Sequence, residues 1–212
     1  MGKKWFWINK GAKMKRKREK YDRKLSKNPI KKENNKRVAE AFKLRNKGKE
    51  FFVVLESEAL LTLKTLKKYG IKRVEVPNPT NAFDKIKKYH NATYDMWLGD
   101  YFDMIKKEGK NKCGGIWFDY CCSIKGNSEV NPKSDIKKYF DYKLPANDSV
   151  LAFTFCYRKG TKVAYTHQDL YEIESYIQQV AWNNGYALVR IPYGRMYNGM
   201  FFGIYDVLKI RK

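Results

Sequence analysis

The sequence predicts an α/β protein: a three-layer α/β/α sandwich around a mostly parallel sheet that ends in an antiparallel β-hairpin, preceded by a basic helical arm. Three observations carry this. From Phe51 onward, short apolar runs alternate with amphipathic stretches, the pattern of parallel strands covered by helices on both faces. The last two apolar runs have no helix between them, only a stretch containing Asn198-Gly199, a hairpin-type turn signal. Charge is concentrated at the front: residues 1–50 hold 20 Lys and Arg against 5 Asp and Glu, while residues 51–212 hold 25 against 17. The arm is therefore placed at residues 1–50 and the α/β domain at residues 51–212.

The arm, with "KMKRKREKYDRKLSKNPIKK", is broken at Asn28-Pro29 and poor in apolar residues. Propensity predicts a helix from about Lys31 to Asn46. Lys15, Arg16 and Arg18 are its candidate nucleic-acid contacts, against the alternative of a solvated, partly disordered tail. Trp5, Phe6 and Trp7 stand in a row beside lysines, suited to docking on the body or to stacking on bases.

Within the domain, "FFVVLE" reads as a strand buried on both faces and ending in Glu56. "SEALLTLKTLKKYG" follows as a helix, with Ser57 as N-cap, leucines at 60, 63 and 66, and Gly70 as its stop. "IKRVEVPNP" is a second strand closed by Pro77 and Pro79, and "TNAFDKIKKYH" a short helix. "TYDMWLGD" gives a third strand and "YFDMIKKEG" another short helix. "GGIWFDYCC" is the fourth strand, and "NPKSDIKKYFDYK" is helical, with Ile136, Tyr139 and Phe140 at helical spacing. "DSVLAFTFCYR" is the clearest strand. "HQDLYEIESYIQQVAWNNG" is the clearest helix, with Leu170, Ile173, Ile177 and Val180 on one face and Gly185 ending it. "YALVRIPYG" and "GMFFGIYDVLKI" form the closing hairpin.

Composition bounds the function. A hydrophobic content of 43% supports a folded core, and 45 Lys and Arg against 22 Asp and Glu give a net charge of +23. That balance favours a polyanionic partner, because each cation near a phosphate releases a condensed counterion. Nucleic acid, RNA or DNA, comes first and an anionic membrane surface second; the few apolar residues of "KKWFW" anchor only weakly. No stretch reaches the roughly 20 apolar residues of a membrane span. The first residues lack the sustained apolar segment of a secretory signal. Cys113, Cys121, Cys122 and Cys156 form no C-x-x-C pair, which points to free thiols in an intracellular, reducing compartment. His90 and His167 have no partner at metal-ligand spacing, so no metal site is expected, and His167-Gln168-Asp169 reads as a helix start.

In open α/β sheets, ligands bind beyond the carboxyl ends of the strands. The residues at those ends are Glu56, Asn78, Asp100 and Asp119. Five βα units, a closing hairpin and these strand-end groups resemble the class I S-adenosylmethionine-dependent methyltransferases, a Rossmann-like fold, over residues 51–212. The resemblance implies S-adenosylmethionine as cofactor. It places Glu56 and Ser57 in the loop that holds the methionine part and Asn78 at the ribose hydroxyls. It places Gly99-Asp100-Tyr101 at the adenine, with Asp100 accepting from the amino group and Tyr101 stacking. The sequence departs from the family at the first loop. "LESEALLTL" has no glycine where the family has a glycine-rich turn that lets backbone approach the cofactor.

The resemblance also brings Asp119 to the catalytic edge, beside Tyr120, Cys121 and Cys122. The Asp/Asn-Pro-Pro-aromatic motif of amino-methylating members is absent. Asp119-Tyr120-Cys121-Cys122-Ser123 and Thr154-Phe155-Cys156 are loosely similar to the "D-A-P-C-S" and "T-C-S" elements of RNA 5-methylcytosine methyltransferases. That likeness implies a thiolate, Cys122 or Cys156, adding to C6 of a pyrimidine so that C5 becomes nucleophilic. The alternative is that these cysteines pack at strand ends. Arg158 and Lys159, just past the fifth strand, are candidate phosphate contacts, and Arg195, between Tyr193 and Tyr197, suits an unstacked base. The expected function is a methyltransferase acting on nucleic acid, RNA favoured, with Asp119 orienting or deprotonating the acceptor. A non-enzymatic nucleic-acid-binding protein on a cofactor-less core of the same fold is the alternative, and the missing glycines favour it.

Overall fold

The computed structural model of the chain describes residues 28–45, 50–56, 60–78, 84, 86–90, 94–98, 110–120, 123–126, 131–156, 158–159, 162–163, 167–191 and 200–210. Its helices are α1 (Pro29–Arg45), α2 (Leu61–Lys68), α3 (Pro132–Asp141) and α4 (His167–Asn183), with a short 3-10 turn at Lys87–Tyr89. Its strands are β1 (Phe51–Val54), β2 (Val74–Asn78), β3 (Tyr94–Leu98), β4 (Cys113–Asp119), β5 (Pro145–Cys156), β6 (Arg158–Lys159), β7 (Lys162–Val163), β8 (Tyr186–Ile191) and β9 (Met200–Lys209). Seven of them form one sheet in the order β3-β2-β1-β4-β5-β9-β8. The first five run parallel; β9 lies antiparallel between β5 and β8, as the closing hairpin requires. The two-residue strands β6 and β7 make a separate ribbon after β5, which the sequence did not announce. Among the described residues no helix is long and apolar enough to cross a membrane.

Strand alternation sorts the core into two faces. Phe51 and Val53 of β1 look one way with Ile116, Phe118, Leu151, Phe153 and Phe155, and α3 and α4 cover them with Ile136, Tyr139, Phe140, Ile173 and Ile177. Phe52 and Val54 look the other way with Trp117, Val150 and Ala152, beneath Val38 and Phe42 of α1 and Leu63 and Leu66 of α2. Each of the Val, Leu, Ile and Phe side chains among these contributes about 1.5–3 kcal/mol by leaving water, so both faces are needed.

Helix α1 begins two residues before the expected start. Asn28 and Pro29 initiate the helix instead of breaking the chain: the Asn28 side chain accepts from the backbone of Ile30 at 2.9 Å and of Lys31 at 3.2 Å, and Pro29 takes the first helical position, where no N–H is needed. Within the segment read as an arm, Val38, Ala39, Ala41 and Phe42 are buried in the core. Glycine on β4 makes room for them. A Cβ on Gly115 would lie 2.5 Å from the Phe42 ring, which packs 4.7 Å from the ring of Phe52. At the far end Arg45 pairs with Asp148 at 2.9 Å and Asp206 at 2.7 Å, tying α1 to β5 and β9.

The other helix ends follow the sequence with one correction. Gly70 (φ +76°) and Gly185 (φ +84°) close α2 and α4 in the left-handed conformation expected of them. Asn131 caps α3 by accepting from Ser134 N at 3.1 Å. Helix α2 starts at Leu61, and its N-cap position is a left-handed Leu60 with no side-chain cap of its own, in place of the expected Ser57.

Candidate active site

The sheet order reverses between β1 and β4: β2 and β3 lie to one side, β5 onward to the other. In open α/β sheets ligands bind at such a switch point, beyond the carboxyl ends of the strands. Val54 pairs with Trp117, and Glu56 and Asp119 each lie two residues further on. Alternation therefore puts both carboxylates on one face, the face covered by α1 and α2.

Each acid is held by a different helix of that layer. Glu56 is buried, and its Oε2 accepts from Leu63 N at 2.7 Å. It performs the capping expected of Ser57, from one residue earlier. Asp119 accepts from Lys31 Nζ of α1 at 2.6 Å; the lysine side chain is 9% exposed and the aspartate 23%. The same ammonium lies 4.5 Å from the Trp117 ring centre, where the π-face attracts a cation. Trp117 is fixed in turn, its Nε1 donating to Thr154 Oγ1 at 3.0 Å. Both helices also begin here, so the positive ends of their dipoles face the two carboxylates. Asn34 and Asn35, one turn after Lys31, are buried on α1. The helix thus changes from a polar face at the carboxyl edge to an apolar one over the sheet.

Neither a family model nor a curated protein matches the sequence. Solved structures match the fold. Trm1 from Pyrococcus horikoshii, in complex with S-adenosyl-L-methionine, superposes with a TM-score of 0.64 at 11% identity, over 86% of this chain and 56% of that one. The methyltransferase domain of bacterial CtHen1 gives 0.57 at 12% identity, over 84% of this chain and 100% of that one. An O-methyltransferase family protein from Burkholderia thailandensis gives 0.51 at 9% identity, over 82% and 55%. The chain has the Rossmann-like fold of class I methyltransferases. It spans about half the length of the Trm1 and Burkholderia chains.

On this methyltransferase fold the expected site residues separate. Glu56 and Asp119 come together, and Cys156 joins their face: Asp119 pairs with Thr154, and Cys156 lies two residues beyond it as a partly exposed free thiol. Tyr120 does not line the edge. It turns to the opposite face, buried between the rings of Phe118 and Phe155, each 5.8 Å away, and donates to Asp135 Oδ2 of α3 at 2.6 Å. Its hydroxyl is a core hydrogen bond, because alternation sends it away from Asp119. Cys113 lies at the amino end of β4, the end opposite Asp119, and burial pushes its thiol up to about 12. The backbone places Asn78 at the end of β2, opposite Leu98, and Arg158 and Lys159 in β6. Ser57, Asp100, Tyr101, Cys122, Lys15, Arg16, Arg18 and Arg195 lie outside the described residues. Among the described residues, no three His, Cys, Asp or Glu side chains gather as metal ligands.

Sequence reasoning missed Lys31, Trp117 and Thr154. One signal was present: reading Asn28-Pro29 as a helix start would have put Lys31 in the first turn.

Proposed function

We propose that the protein is an S-adenosylmethionine-dependent methyltransferase acting on nucleic acid, with RNA favoured. The observation that carries this reading is the pair of strand-end carboxylates, Glu56 and Asp119, on one face at the switch point of a methyltransferase fold. The donor set fits the cofactor, which carries a sulfonium and an ammonium, both complementary to carboxylates. When bound, S-adenosylmethionine supplies a methyl group that passes to a nucleophile's lone pair while the sulfur keeps the bonding pair. Asp119, oriented by Lys31, accepts a hydrogen bond or the displaced proton from the acceptor. Glu56 and Ser57 hold the methionine end, Asn78 the ribose, and Asp100 with Tyr101 the adenine. Cys156, on the Asp119 face, is the thiol of interest if the acceptor is a pyrimidine carbon, with Cys122, three residues after Asp119 in sequence, as the alternative. Lys15, Arg16, Arg18, Arg158, Lys159 and Arg195 supply phosphate and base contacts. The net charge of +23 supports a polyanionic substrate.

Calorimetric titration with S-adenosylmethionine tests the reading. One-to-one binding to the wild type, lost in Asp100→Ala and weakened in Glu56→Gln, is the expected result. Absence of heat and of thermal stabilisation at saturating cofactor would leave the second reading, a binding protein on the same core. One observation favours that reading: the Glu56 carboxylate is engaged in capping α2, in a loop without glycine.

A further inference from the structure

The lysines of the two helical layers differ in what they do. On the α3 side, Lys137 pairs with Asp141, and Lys133 lies 5.0 Å from the Tyr176 ring centre. Lys143, just after α3, donates to the Asn184 carbonyl at 2.8 Å and to its side chain at 2.6 Å. On the α1/α2 side, Lys32, Lys43, Lys67, Lys68 and Lys72 are exposed, and among the described residues their side chains make no ion pair or hydrogen bond.

The charge balance is equally lopsided. Residues 29–45 and 61–73 hold eleven Lys and Arg against two Glu, whereas residues 132–143 and 167–183 hold four Lys against five Asp and Glu. The two glutamates of the basic layer are already engaged, Glu33 by Arg37 and Glu40 by Lys36, Arg37 and the Tyr69 hydroxyl. Solubility alone gives no reason for this, since both layers face the same water.

We propose that the outer surface of the α1/α2 layer is the track on which the nucleic-acid backbone lies. Lys32, Lys36 and Lys43 recur at helical spacing and mark a stripe of about 16 Å along α1. Helix α2 runs beside it, joined at Tyr69 and Glu40, and adds Lys67, Lys68 and Lys72. The stripe ends in the first turn of α1, where Lys31 meets Asp119, so a strand following it arrives at the carboxyl edge. The inference rests on the nucleic-acid part of the proposed function and not on the cofactor.

The test compares K67Q/K68Q/K72Q with the control K133Q/K137Q/K138Q by fluorescence anisotropy, using a labelled single-stranded RNA over a series of salt concentrations. Five of the six side chains are exposed and Lys138 is half-buried, so both variants should fold. The track variant is expected to lose about ten-fold or more in affinity, and its log–log salt slope should fall by about 2, at about 0.7 per lost phosphate contact on a single strand. The control should stay within about two-fold. Equal losses in both variants, no loss in either, no RNA binding by the wild type, or binding to phosphatidylserine vesicles in its place would each overturn the proposal. Titrating the same three proteins with S-adenosylmethionine separates the two readings: absent cofactor binding with the RNA difference intact would sink only the methyltransferase activity.

Discussion

The layer of α3 and α4 and the layer of α1 and α2 cover one sheet but are built differently. The first is a continuous aromatic packing: Phe153 lies 5.2 Å from Phe155, 5.7 Å from Phe201 and 5.6 Å from Tyr205, with Tyr139 and Phe140 above. Some of its polar groups close on one another as well. Tyr205 donates to Glu174 at 2.6 Å, and burial together with that carboxylate pushes its hydroxyl well above the usual tyrosine range. The second layer is apolar over the middle of the sheet and polar at the carboxyl edge, with lysines facing water. The contrast predicts that stability resides mainly in the first layer, while the proposed site belongs to the second.

Phe153→Ala should break the comparison most severely, costing about 3–5 kcal/mol by urea denaturation, since several rings lose a partner at once. A loss under about 1 kcal/mol would show that the aromatic layer is not the main source of stability. Gly115→Ala comes next. Its new methyl meets the Phe42 ring, so α1 must lift, at about 1–3 kcal/mol in the same assay. Lys31→Met should cost about 1–2 kcal/mol, less than a fully buried pair because Asp119 still sees solvent. A cycle with Asp119→Asn sharpens this: additive losses would mean that the two residues do not interact.

The smallest effect belongs to Asp141. Its hydrogen bond from Lys137, with help from Asn184, holds its carboxyl below the ordinary value of 3.8. A folded-state value below the unfolded one gives stability that is present above about pH 4 and lost as the pH falls through the folded value. Asp141→Asn should therefore flatten the acid limb of the stability curve by about 0.3–0.5 kcal/mol, a small figure because the pair faces solvent. A wild-type acid limb retained unchanged in the variant would remove Asp141 from that account.

Most of the fold was legible because each element carries its own signal. "FFVV" is apolar on both faces, Leu63 and Leu66 share a helical stripe, and Gly70 and Gly185 stand where helices must stop. The packing of α1 was not legible from α1. Its apolar residues are few, and the room for Phe42 is made by a glycine on β4, far along the chain. The candidate site was half legible for a similar reason. Strand ends pointed to Glu56 and Asp119, but beyond the Asn28-Pro29 helix start no local pattern separates Lys31 from its many neighbouring lysines. Tyr120 was misplaced by reading a strand end as an edge without counting which way each residue faces.

Helix α1 is pinned by an ion pair near each end, Lys31 to Asp119 and Arg45 to Asp148 and Asp206. Seventeen residues of helix make a rod about 25 Å long, and that length has to match the span of the sheet beneath it. One residue inserted between Asn35 and Val38 would lengthen the rod by about 1.5 Å and turn its second half by about 100°. Val38 and Phe42 would then swing off Gly115, and only one of the two pins could close. The helix acts as a gauge block: the chain tolerates substitution along its outer stripe but not a change in its count.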